Sequence, residues 1–395
     1  ILDGEGRFTG FDAIIGNPPY IQLQSNNSLL GNLYEQRNYN TFFKQGDLYC
    51  LFIERAHSLL RNNGEFGFIV PNTWLQSFSF SPLRLFLTSY FRWNQIALTH
   101  KVFADATVDT HCLLFTKSKE QKDCEICRIS EDGKISKLHT IKKDVITQTG
   151  NVINIEANQE SLLLIEKLKE CSKPLTEYLN VYNGVKPFEK GKGTPAQTKQ
   201  IVEEKPYVKE GDKPGEEWSP LMRGSLMHRY TNLWNENYWI LYGKWLAAPR
   251  DSTIFEKLEK IIMRQTGDSI IATIIDGGNI CRDNLHICIP KNETINLKFI
   301  LGVLNSKLTD FYYTFINPEK GETLAQVKKT HVEMLRIPNA SVEQQKEISD
   351  LVEKALCRRK ENVNADISAM MEEIDKLVYK LYDLTEEEIG VVEKR

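Results

Sequence analysis

The spacing of apolar residues changes along this chain, and each change marks an element. The run Asp12-Ala13-Ile14-Ile15, bounded by Gly16, is short and apolar and predicts a fully buried strand of a parallel sheet. Pro18 and Pro19 end it, because proline cannot donate to a strand ladder. A polar stretch follows, read as a loop with room for one short helix. Asp47 then stands as an N-cap before Leu48, Leu51, Phe52, Ala56, Leu59 and Leu60. These three- and four-residue steps predict an amphipathic helix, closed by Asn62-Asn63-Gly64. On this reading Glu54 and His57 lie on its solvated face and carry no role. GEFGFIVP (64–71) reads as the next buried strand and SPLRLFLTSYF (81–91) as a helix. NQIALTHKVF (94–103) and THCLLFTK (110–117) read as two further strands. The alternation predicts half of a doubly wound α/β sheet.

Beyond Cys124 the pattern loosens into short β-like pieces with turns, up to about Asn158. QESLLLIEKLKEC (159–171) predicts a helix. Residues 183–220 are rich in Lys, Gly, Pro and Glu and read as exposed loops. The aromatic-dense stretch from Trp234 to Trp245 reads as core of a second region. KIIMRQTGDSIIATIIDGG (260–278) predicts a hairpin turning at Thr266-Gly267-Asp268. LKFILGVLNSKLTDFYYTF (297–315) reads as helical, and a last helical block runs from Ser341 to about Leu381. The expected divisions are 1–155, 156–340 and 341–395.

Composition adds bounds. A length of 395 residues suggests two domains or more. Hydrophobic content of 41% and charged content of 26% are ordinary for a globular protein. A net charge of −3 neither announces nor excludes a nucleic-acid partner, which would need a local basic face. There is no signal peptide and no apolar run long enough to cross a bilayer, so no membrane partner is expected and the expected location is cytoplasmic. The eight cysteines are scattered and read as reduced thiols. Cys124 and Cys127 form a CxxC, but no second pair or suitably spaced histidines follow, so no metal is assigned.

The chemistry concentrates at GNPPY. Asn17 precedes a proline and is held extended, so the strand presents its amide at its carboxyl end. In open α/β sheets ligands bind at that edge. An exocyclic amine on a nucleobase is a poor nucleophile because its lone pair is delocalised into the ring. Two acceptors aimed at its hydrogens, the Asn17 side-chain oxygen and the Pro18 carbonyl, would draw the nitrogen toward tetrahedral geometry. Tyr20 would stack on the base once it leaves the duplex.

At these residues the sequence resembles a family. DAIIGNPPY is similar to the catalytic motif of S-adenosylmethionine-dependent, adenine-N6 DNA methyltransferases, and the order of later pieces resembles the methyltransferase–specificity chains of type IIG restriction–modification systems. GDLYCLFIERAHSLLRNNGEFGFIVPNTWL resembles the family's next helix–strand unit. HKVFADATVDTHCLLFTK resembles a later motif whose phenylalanine packs on the flipped adenine, here Phe103. LMRGSLMHRY, KIIMRQTG, LGVLNSKL and LVYKLYDLTEEEI resemble the target-recognition domain and terminal helices. The resemblance implies a partial Rossmann-like sheet of strands four to seven, then a mixed α+β recognition domain and carboxy-terminal helices. It implies S-adenosylmethionine as cofactor, with Asn17 at its edge, and double-stranded DNA as partner.

The family's cofactor half lies upstream of the catalytic motif, and the chain opens ILDGEGRFTG without it. The expectation is a carboxy-terminal portion, active only with that half, whose strand at Asp12–Ile15 is an unpaired edge. Candidate DNA contacts are Arg223, His228, Arg229, Arg264, Arg282, Lys328 and Lys329, and the lysines of VKPFEKGKG. Two other readings stay open. A protein-glutamine methyltransferase also uses Asn-Pro-Pro-Tyr, on an amide nitrogen, but leaves the long carboxy-terminal region unexplained. A non-catalytic DNA-binding specificity module would keep the half-domain as a vestige.

Overall fold

The structure is a computed structural model that describes residues 2–75, 77–99, 110–143, 146, 155, 159–317 and 326–394. It divides into two compact units, Ile1–Leu162 and Leu163–Arg395. No helix among the described residues is long and apolar enough to cross a membrane.

The first unit runs β1 (Phe11–Gly16), α1 (Ser25–Glu35), α2 (Leu48–Leu59), β2 (Leu60–Pro71), α3 (Ser81–Tyr90), β3 (Phe91–Thr99) and β4 (Thr110–Lys117). Two further strands, β5 (Cys124–Ile129) and β6 (Ile135–Ile141), complete it. They form one six-stranded sheet in the order β1-β2-β4-β3-β5-β6. The pairs β1–β2 and β3–β5 are parallel and the other three antiparallel. The loose stretch after Cys124 is thus a formed hairpin that extends the sheet.

Alternate residues of β2 and β4, Phe66, Phe68 and Val70 with Leu113 and Phe115, turn to one face. There they meet Tyr49, Cys50 and Ile53 of α2 and Leu83, Phe86 and Leu87 of α3. Burial of each such side chain contributes about 1.5–3 kcal/mol. β1 departs from the expected full burial. Ile14 packs toward this core, but Ile15 points the other way and is 84% exposed. The reason is the alternation of strand side chains: Ile14 turns to the helix-covered face and Ile15 to the opposite one, and β1 is an edge strand that pairs only with β2 among the described residues. It is the edge strand that the resemblance implied.

His57 also differs from its expected solvated setting. Its ring lies 5.2–5.3 Å from those of Phe86, Tyr90 and Phe91, and burial pushes its pKa down to about 4. Glu54 is a structural acceptor, taking hydrogen bonds from the Asn40 and Thr41 backbone amides at 3.1 and 2.9 Å.

The second unit begins with the helix Gln159–Glu170, which straddles the division, then β7 (Ser172–Pro174), β8 (Leu179–Asn183), β9 (Val208–Glu210) and β10 (Trp218–Met222). It continues with β11 (Met227–His228), β12 (Thr231–Asn232), β13 (Tyr238–Leu241), β14 (Glu259–Arg264) and β15 (Ala272–Asp276). Its last strands are β16 (Ile280–Cys281), β17 (Leu285–Pro290) and β18 (Arg336–Pro338). Two four-stranded sheets result, β15-β14-β17-β8 and β16-β10-β13-β9, besides two-stranded pairs β11–β12 and β18–β7. β14 and β15 are the predicted hairpin. β9 and the first three residues of β10 lie inside the stretch expected to be loops.

The helical stretch 297–315 is two helices, Leu297–Leu304 and Lys307–Ile316, broken where Ser306 caps the second. The helix Val342–Glu361 packs closely on the first, since a Cβ at Gly302 would sit 2.6 Å from Ile348 Cγ2. Ile348, Val352, Ile374 and Val378 of the terminal helices share one core with Ile300, Leu301 and Leu304. The carboxy-terminal helices therefore belong to the same compact unit as the strands before them.

Candidate functional site

Parallel pairing of Gly16 with Phe68 carries Asn17-Pro18-Pro19-Tyr20 out past the end of β1. Pro18 is buried, while Asn17 and Pro19 are exposed. The Asn17 side-chain amide makes no hydrogen bond to the described residues, so its oxygen is available to a ligand. Tyr20 is held in place. Its hydroxyl donates to the Ile69 carbonyl of β2 at 3.0 Å. Its ring meets Tyr49 edge-on at 6.3 Å, and Tyr49 stacks on Phe80 at 5.5 Å. Burial, followed by nearby Cys112 and Asp47, pushes the Tyr20 hydroxyl up to about 12, so it stays protonated as a donor.

Asp47 does more than cap α2. Its Oδ1 accepts the Ile21 amide at 2.9 Å as well as the Tyr49 amide at 3.4 Å, and the Leu48 amide donates to the Ile21 carbonyl at 2.9 Å. The residue after the motif is thereby fastened to the start of α2. Burial raises the Asp47 pKa, against the lowering influence of the Tyr49, Ile21 and Leu48 amides beside it. The cap was legible in the sequence; its second partner lies 26 residues back and was not.

Two residues that the sequence did not single out are buried in the same unit. The Arg84 guanidinium donates to the Trp74 and Ser77 carbonyls at 2.7 and 2.8 Å, fixing the segment that follows β2. Burial lowers its pKa to about 10, so it remains charged at neutral pH. His111 opens β4 opposite Val70, and burial lowers its pKa to about 4, leaving a neutral imidazole. Nothing in a strand periodicity separates such a histidine from an apolar neighbour. Phe103 lies outside the described residues. On β5, Cys127 Sγ accepts from Gln95 Nε2 at 2.8 Å.

In the second unit each candidate DNA contact has its own surroundings. Arg223 follows β10 and lies over the Tyr238 ring, 4.3 Å from its centroid. His228 is exposed on β11. Arg229 is committed within the fold: its Nε donates to the Ile270 carbonyl at 3.1 Å and its Nη2 pairs with Asp310. Arg264 ends β14 and is partly exposed. Lys328 is exposed at the N-cap of the helix Lys329–Met334, and Lys329 pairs with Glu333 at 3.4 Å. Lys186, from the lysine-rich stretch, pairs with Glu189 at 2.6 Å. Arg282 is brought beside Arg223, donating to the Tyr238 hydroxyl at 3.1 Å.

A mixed sheet presenting Asn-Pro-Pro-Tyr at the carboxyl end of a parallel strand defines the class, an α/β methyltransferase fold. Residues 3–103 match the Eco57I restriction-modification methylase family, and residues 219–337 match the TaqI-like C-terminal specificity domain. The two matched stretches follow one another along the chain. The relative RM.MjaORFECS2P of Methanocaldococcus jannaschii is 27% identical over 94% of this chain and 31% of its own length. The type II restriction enzyme and methyltransferase RM.Eco57I of Escherichia coli is 36% identical over 29% of this chain and 12% of its own. The chain therefore spans a third or less of these relatives. The solved structure of the type IIL restriction-modification enzyme MmeI in complex with DNA shares the fold, with a TM-score of 0.62 at 14% identity. That likeness covers 96% of this chain and 55% of MmeI.

Proposed function

We propose that this chain is the catalytic-motif and target-reading portion of a site-specific DNA adenine-N6 methyltransferase. The methyl donor is S-adenosylmethionine, which supplies an electrophilic methyl group. On this reading Asn17 touches the edge of that donor, and a single amide is not a cofactor cradle. Activity accordingly requires the cofactor half that the resemblance puts upstream. The observation that carries the reading is the contrast at the strand end, where an exposed Asn17, its amide unbonded among the described residues, stands three residues before an anchored Tyr20.

On this reading the Asn17 oxygen and the Pro18 carbonyl accept from the two hydrogens of the adenine amine and steer its lone pair outward. Tyr20 covers one face of the extruded base, and Phe103 the other. The Ile69 carbonyl and Asp47 keep Tyr20 and the peptide after it from moving. Double-stranded DNA is bound by the second unit, through Arg223, His228, Arg229, Arg264, Lys328 and Lys329. Within that set Arg229 acts through the fold, because its guanidinium is already paired with Asp310.

The test is Asn17→Ala in the methylation-competent full protein, read by transfer of labelled methyl groups to duplex DNA. The expected loss is about 10²–10³-fold, the size of removing one preorganised polar group from a reacting centre. Duplex affinity stays unchanged. Methylation retained at the wild-type rate overturns the assignment.

A further inference from the structure

In the sheet β16-β10-β13-β9, parallel β10 and β16 pair Met222 with Cys281, so Arg223 and Arg282 are the next residues on two neighbouring strands. The Arg282 amide donates to the Met222 carbonyl at 2.9 Å, which continues that register past the strand ends. On the other side of β10, antiparallel β13 and β9 pair Tyr238 with Glu210. Four strands thus deliver Glu210, Tyr238, Arg223 and Arg282 to one end of one sheet.

The contacts are specific. Arg223 lies on the face of Tyr238 and Arg282 donates to its hydroxyl, so one aromatic ring seats two guanidinium groups. The Arg282 backbone is held as well, since a Cβ at Gly184 would fall 2.1 Å from the Arg282 carbonyl oxygen. Two like charges on adjacent strand ends repel, and two carboxylates answer them. Glu210 meets Arg223 at 3.3 Å and Asp283 meets Arg282 at 3.5 Å. Both pairs are long for charge-assisted contacts, and the Glu210 side chain is 65% exposed. Pairs of this kind bind weakly and yield to salt. The Arg223 nitrogen that meets Glu210 is the terminal Nη2, and a guanidinium carries five N–H donors in a planar fork.

We propose that Arg223 and Arg282, seated on Tyr238, form a clamp for the phosphate backbone of duplex DNA. Glu210 and Asp283 take the place of phosphate oxygens while DNA is absent. The carboxylates keep the arginines apart and oriented, and they also compete with the duplex, so the clamp carries its own acidic brake. The proposal rests on the reading of this unit as a DNA-binding one.

The experiment measures binding of the full chain to mixed-sequence duplexes across a series of salt concentrations. Arg223→Ala is expected to weaken binding several-fold, uniformly across sequences, and to lower the slope of log affinity against log salt by about 1. Glu210→Gln is expected to strengthen binding several-fold at low salt, with the gain fading as salt rises. Glu210 is exposed, so this variant also serves where Arg223→Ala fails to fold. If wild type binds duplex but Glu210→Gln binds no better, the brake is overturned. A loss in Arg223→Ala confined to particular sequences makes the arginine a base reader and overturns the phosphate clamp. No salt-sensitive binding by wild type at all removes the DNA-binding reading together with the clamp.

Discussion

Tyr20 and Tyr238 both stand at the ends of strands, and they are held in opposite ways. Tyr20 donates to a backbone carbonyl and leans on a neutral ring, so its position rests on groups that neither salt nor moderate pH alters. Tyr238 accepts from one arginine and carries another on its face, so its surroundings are set by charge. The first arrangement suits a group that must keep one geometry through a reaction. The second suits a surface whose partner arrives with its own charge. One site is built here from backbone hydrogen bonds, and the other from charged side chains.

Substitutions at four positions would break or sharpen that contrast. The largest effect is expected at Asp47, whose carboxylate holds the peptide after Tyr20. Asp47→Ala strips a buried acceptor from two amides and should cost about 1–3 kcal/mol in the urea midpoint of the first unit. Asp47→Asn keeps an acceptor oxygen and should recover much of the loss. Equal effects of the two variants would mean that charge, rather than the pair of bonds, matters there.

A matched pair comes next. Tyr20→Phe leaves the ring and removes the bond to Ile69, with an expected cost of about 1 kcal/mol that does not depend on salt. Tyr238→Phe leaves the seat for Arg223 but frees Arg282, and its effect should appear in the salt dependence of duplex binding rather than in stability. If both variants respond to salt alike, the distinction between the two tyrosines fails.

The last test is a pH slope in the second unit. Asp375 is buried and accepts the Lys307 amide at 2.8 Å, with Lys307, Arg229 and Asp310 nearby. Burial pushes its pKa up to about 6 from 3.8. The folded unit therefore holds this proton more tightly than the unfolded chain does. Its contribution to stability is complete below about 3.8 and is lost as pH rises through about 6. Asp375→Asn should flatten that part of the stability profile, followed by urea midpoints at a series of pH values. An unchanged slope would assign it to another group.

How much was readable beforehand varied with the reach of the forces involved. Helix α2 with its Asp47 cap, strand β4 and the hairpin of β14 and β15 came directly from periodicity and caps, which act over a few residues. β9 and β10 were hidden in the polar stretch because a strand of three to five residues is too short to show a period, and sheet neighbours rather than its own composition hold it. His57 and Glu54 were misplaced for a related reason. Helical spacing predicts which face a residue takes, but not that the rings of Phe86, Tyr90 and Phe91 come around to cover one and the Asn40–Thr41 turn to use the other.

By itself the sequence determined the strand end: Gly16, Asn17 and two prolines stop a strand and display an amide through local backbone sterics alone. Tertiary structure decided what surrounds that motif and what the second unit presents. Fastening Tyr20 needed Ile69 of the neighbouring strand, and seating Arg223 beside Arg282 needed four strands in register. Those contacts join residues far apart in the chain, so they exist only once the entropy of closing the intervening loops has been overcome by burial of a shared core.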